Sequence, residues 1–215
     1  MQTKALRSFN LNHSRIINLL SFYDFVTEAS RGKPSKDCSE LGRAAWAQAV
    51  TSLDAYLHDV LAERLALSIA KSAFTKNAAL QERIEAIVTP EIILALVNSK
   101  EPRIDLAKAV AGSYDLAAMQ REERVSEILQ LLSVDDPWER ISSRIEKKGK
   151  GPKTAQEIKK RFHEVIERRN RIVHRADVPK GENKAQQMRK VSAQGTLDFI
   201  HNLVTAIDSS ITEMS

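Results

Sequence analysis

The sequence predicts an all-α fold: a helical bundle with a small helical insertion between its second long helix and a basic helix ending near residue 175. Three observations predict it. Apolar residues recur at three- and four-residue steps along most of the chain, the spacing of one helix face. The 215 residues include only 7 Gly and 6 Pro, few for a fold of many strands and tight turns. No segment shows convincing β alternation, and no internal repeat is visible. Length and a 42% hydrophobic content suit a single domain over 1–215, with about 75–135 as the insertion.

The elements follow in order. Ile16, Leu19, Leu20, Tyr23 and Val26 mark a first amphipathic helix over about 14–29. SRGKPSKD, 30–37, reads as a loop. A long second helix over about 38–70 carries the stripe Trp46, Val50, Leu53, Leu57, Val60 and Leu61. In the middle region Thr89-Pro90-Glu91 is a helix start, a capping hydroxyl followed by Pro in the first turn. Asp136-Pro137-Trp138 looks like a second start, and Val125, Ile128, Leu129 and Leu132 mark a helical face between them. KKGKGPK, 147–153, is a basic linker. Thr154 and Glu157 form a capping-box pattern opening a helix over about 155–175. ADVPKGENK is a loop, and Leu197, Ile200, Val204, Ile207, Ile211 and Met214 line the last helix.

Charge is distributed unevenly. Residues 140–190 hold 17 Lys or Arg against 6 Asp or Glu, a net +11, while the remainder of the chain nets −6. Such a block suits a polyanionic partner, or is a solvated basic helix without one. Cys38 is the only cysteine, which excludes an internal disulfide and a Cys-based zinc site. MQTKALRSFNLNHS lacks a signal-peptide core and no stretch has the length of a membrane span, so a cytoplasmic protein, away from membranes, is expected.

The basic block centres on RRNRIVHRAD, 168–177. At about 100° per residue, Ile158, Phe162, Val165, Ile166, Ile172 and Val173 form an apolar stripe, and Arg169 falls in its middle. A guanidinium aimed at a core is costly unless paired. Asn170 and His174, four apart, share one edge of the stripe, and Arg171 and Arg175 pair on the exposed side. Each residue has an ordinary alternative: a boundary histidine, a solvated arginine face, a structural ion pair. Their coincidence within a few residues points to a site.

Arg169-Asn170 followed by His174 resembles the signature of HEPN domains, an Arg, often with a polar residue after it, and a His four to six positions on near a helix end. The second helix, AAWAQAVTSLDAYLHDVL, is similar to the HEPN subfamily associated with RNA ligases and phosphoesterases. The resemblance covers the second helix, the motif helix and the last helix. It implies an α-helical bundle and, in many members, a metal-independent endoribonuclease that dimerises and joins two motifs in one cleft. Some members are toxins or anti-phage effectors; others are silent binding modules. The implied partners are RNA, a second copy and an antitoxin or defence protein, with no cofactor and no metal. Where some toxins carry a modifiable Tyr two positions after the His, this chain has Ala176.

RNA cleavage of this kind needs a base for the 2′-hydroxyl, an acid for the leaving 5′-oxygen and a cation for the phosphate. His174 suits the first or second task and Arg169 the third, while Asn170 could orient His174 or the phosphate by hydrogen bonding. A twofold dimer would supply the second His. The family's polar partner on helix two implies Asp54 beside Arg169; Asp54 could instead face water. His58 reads as a surface residue, and His163, eleven before His174, could line the RNA approach. Arg168, Arg171, Arg175, Lys147, Lys148, Lys150 and Lys153 would hold the RNA backbone with little sequence preference. Phe162, the block's only aromatic besides bordering Trp138, lies in the apolar stripe, so weak base specificity or recognition of RNA shape is expected.

Overall fold

The computed structural model describes residues 2–29, 36–70, 77–114, 118–145 and 154–213. Among these, every regular element is a helix: α1 (Lys4–Ala29), α2 (Lys36–Ala70), α3 (Ala78–Ile87), α4 (Pro90–Val97), α5 (Pro102–Gly112), α6 (Glu122–Leu131), α7 (Pro137–Arg144), α8 (Ala155–Arg175) and α9 (Lys190–Thr212). The predicted all-α bundle is therefore the fold. No described helix is long and apolar enough to cross a membrane.

The hub is α2, which packs against α1, α9, α5, α8 and α6. Its buried stripe includes Trp46, Val50, Leu53, Tyr56, Leu57, Val60, Leu61 and Leu65. Fully burying a residue such as Leu53 contributes about 1.5–3 kcal/mol, so this one face anchors the molecule. One continuous buried cluster joins it to α8 (Ile158, Phe162, Val165), to α9 (Leu197, Ile200, Val204) and to the insertion (Val110, Met119, Ile128).

Helix α1 begins ten residues before the expected start. Thr3 caps it, accepting from the Leu6 amide at 2.9 Å, and Ala5, Leu6 and Phe9 extend the buried stripe toward the N-terminus. The Thr3 hydroxyl also donates to the buried Asp208 carboxylate of α9, to which the Tyr56 hydroxyl donates at 3.4 Å. Burial, followed by the neighbouring Asp208 charge, pushes the Tyr56 phenol well above its ordinary pKa.

The motif helix matches its predicted limits, 155–175. Thr154 and Glu157 form both halves of the capping box, at 3.2 and 3.0 Å. Thr89 caps α4, accepting from the Ile92 amide. At α7 the start is different: Asp136 sits in the left-handed region, φ 46°, and its side chain makes no cap bond. Within the insertion, α4 buries none of its residues and leaves Ile93, Leu94 and Val97 exposed.

Candidate functional site

The C-terminal half of α8 is held to α2 by the Trp46 indole, which donates to the Val165 carbonyl at 3.0 Å. The helix ends at Ala176 (φ 50°), and Asp177 (φ 60°) continues the left-handed turn. That double turn carries the Asp177 carboxylate back along the helix it has just left. There it is fully buried and meets three guanidinium groups: Arg43 of α2 (3.4 Å), Arg168 (3.0 Å) and Arg171 (3.3 Å). Arg43 also donates to the Gln186 carbonyl and pairs with Glu40, while Arg171 donates to the Gln186 side chain. Arg168 further stacks over the Trp46 ring, 5.0 Å from its centroid. The returning segment is seated by close packing: a Cβ on Gly42 would lie 2.5 Å from Cγ of the buried Met188.

Two residues expected to contact RNA are tied into the protein by this geometry. Arg168 and Arg171 are committed to Asp177. Leaving a buried charge unpaired costs about 3–5 kcal/mol, against about 0–1 kcal/mol for an exposed ion pair. The carboxylate therefore wins these arginines. Sequence reasoning missed both Asp177 and Arg43. The available signal was the acid closing RRNRIVHRAD: a carboxylate at a helix C-terminus opposes the macrodipole and needs cations nearby.

The other side of the helix is uncommitted. His163, Glu167, Asn170 and His174 follow at steps of four, three and four, one stripe along α8. His174 is exposed and has no hydrogen-bond partner among the described residues, and Arg175 is exposed beside it. Arg169 is half-buried. It donates to Asn170 Oδ1 at 3.2 Å, and its Nε–H is buried without a partner. Asn170 thus joins Arg169 and not His174, so the expected Asn170–His174 pair is not made within one chain.

Asp54 does not pair with Arg169 either. Its carboxylate accepts from the Met119 amide at 2.9 Å and so holds the segment entering α6. That segment forms the far wall of a cleft of about 360 Å³ between α6 and α8, lined by Gln120, Arg121, Phe162, His163, Glu167 and Asn170 among others. Gln120 is 8% exposed, and its Oε1 is buried without a hydrogen-bond partner. Glu122, on the same rim, pairs with Lys159 at 2.9 Å. Phe162 packs against Trp138 at 5.6 Å between centroids.

His58 is half-buried on α2. A separate imidazole pair, His13 and His201, meets between α1 and α9 with centroids 4.6 Å apart. Burial, then the neighbouring His201, holds the His13 pKa below its ordinary value, with Asp198 opposing. No group of three or more His, Cys, Asp or Glu among the described residues is placed to hold a metal ion. Lys147, Lys148, Lys150 and Lys153 lie outside the described residues.

The family model RiboL-PSP-HEPN matches residues 11–213. No curated protein and no solved structure matches the chain.

Proposed function

Because the chain belongs to the RiboL-PSP-HEPN family, a membership that points to a nuclease or RNA-related function, we propose that it is an endoribonuclease of a toxin or anti-phage system, cutting RNA at a site shared by two copies. One observation carries this reading. At the end of α8, where Arg168 and Arg171 pair with Asp177, His174 is left exposed and Arg169 makes no ion pair among the described residues. An exposed imidazole and a guanidinium without a carboxylate partner are the groups that metal-independent cleavage of RNA uses.

In the reaction, His174 of one copy takes the 2′-hydroxyl proton as the oxygen attacks the adjacent phosphorus. The P–O5′ bond breaks, and His174 of the second copy protonates the leaving 5′-oxygen. Arg169 neutralises the phosphate oxygens as charge builds. The products are a 2′,3′-cyclic phosphate and a 5′-hydroxyl. Asn170, hydrogen-bonded to Arg169, orients that guanidinium. Arg175 supplies a backbone contact.

The test is expression of the wild type beside His174→Ala, followed by growth and total RNA. The wild type is expected to slow growth and to leave fragments with cyclic phosphate ends, and His174→Ala to do neither. Cleavage of RNA carrying 2′-O-methyl groups would overturn the mechanism.

A second reading, a catalytically silent module binding RNA or a protein, is favoured by the absence of any described side chain holding the His174 ring. It predicts a salt-dependent RNA shift without cutting, the same in His174→Ala.

A further inference from the structure

We infer that the cleft between α6 and α8 is a pocket for a single unpaired nucleobase, guanine above the others, so that RNA is cut beside a chosen base. This rests on the proposed function for its substrate and adds the specificity of that site.

The size admits one nucleoside and little more: about 360 Å³ is near the lower end of small-ligand sites. Charge decides which part of a nucleotide enters. Glu123 and Glu167, neither in an ion pair among the described residues, outnumber the one lining cation, Arg121, so the cleft is net negative and disfavours a phosphate. The cations that favour phosphate, Arg169 and Arg175, stand at the helix end. A strand laid along α8 therefore puts its base between α6 and α8 and its phosphate toward His174.

The polar lining matches one base best. Ile166 forms the apolar floor of the cleft, backed by the buried Phe162. Guanine offers two adjacent donors, N1–H and the N2 amine, on its Watson–Crick edge, and two acceptors, O6 and N7, on the other. A carboxylate such as Glu167 accepts from the first pair, and a guanidinium such as Arg121 donates to the second. Gln120 adds a buried carbonyl oxygen lacking a donor, an unmet demand that a base N–H would satisfy. Cytosine and adenine each offer a single exocyclic amine to the carboxylate. Asp54 is a positioning residue here: by holding the Met119 amide it fixes Gln120 and Arg121 opposite α8.

The spacing ties pocket to chemistry. His174 lies four residues beyond Asn170, about 6 Å along the helix. A base seated beside Asn170 brings its own ribose and flanking phosphate to His174. Reading a Watson–Crick edge also requires single-stranded RNA.

The experiment measures binding of six-residue RNAs to the full-length His174→Ala protein by fluorescence anisotropy. The probes are oligo-A, oligo-A with one central guanosine, the same with inosine, cytidine or uridine, and Glu167→Gln and Gln120→Leu in the same background. Guanosine is expected to tighten binding roughly 10-fold over oligo-A. Inosine, without the N2 amine, is expected to lose most of that gain, and each substitution to erase it. Glu167 is exposed, so its variant keeps the fold, checked by unchanged far-ultraviolet circular dichroism. Equal affinity for all the probes, or a guanosine preference untouched by Glu167→Gln, would overturn the pocket. Cleavage by the wild type is scored separately. Preference without cutting supports the pocket and removes the nuclease; cutting without preference does the reverse.

Discussion

One helix, α8, shows two opposite uses of charge on its two sides. Toward the returning loop, Arg168 and Arg171 join Arg43 around the buried Asp177, each charge answered within the protein. Toward α6, His163, Glu167, Asn170 and His174 face the cleft or solvent with their bonding capacity largely unspent. A run of four arginines is thus not one surface. The difference teaches that a basic motif must be divided by what its cations already hold before any are assigned to a ligand.

Substitutions can sharpen or break this contrast. The largest effect on stability is expected from Asp177→Asn, which keeps shape and tolerance of the left-handed turn but leaves three guanidinium groups facing a neutral amide. A loss of about 3–5 kcal/mol in denaturant unfolding is expected. A change below about 0.5 kcal/mol would show that the arginines are indifferent to it. Gly42→Ala should come next, at about 1–3 kcal/mol, because Met188 must give way before the loop can seat. A smaller loss, about 1–2 kcal/mol, is expected for Asp54→Ala, which strands the Met119 amide. Its distinguishing sign is a weakened guanosine preference in the anisotropy series, which Gly42→Ala should not share. The smallest stability effect, within about 0.5 kcal/mol, belongs to Arg175→Gln, an exposed residue at the helix end. There the expected change is in RNA binding: the slope of log affinity against log salt should fall by about 1.

How much of this was readable beforehand depended on what each residue touches. Helix α8 was legible to both ends because its capping box and its apolar stripe are local signals. The start of α1 was not, since MQTKALRSFN looks polar and its buried Ala5, Leu6 and Phe9 gain their meaning from α2 and α9. On the site, a helical wheel placed Asn170 and His174 on one edge. It could not foresee that Asn170 would turn to Arg169. Nor could it find Asp177, which acts from beyond the helix by doubling back. Asp54 was singled out for the wrong neighbour: its partner is a backbone amide, delivered by the path of the insertion, which no side-chain pattern encodes.

The Asp177 clamp has a consequence for descent. Arg43 and Asp177 lie 134 positions apart and share one water-poor space. Either without the other is an uncompensated ion, so related chains should keep both or have lost both, and the rare intermediate should carry a nearby substitution that restores neutrality.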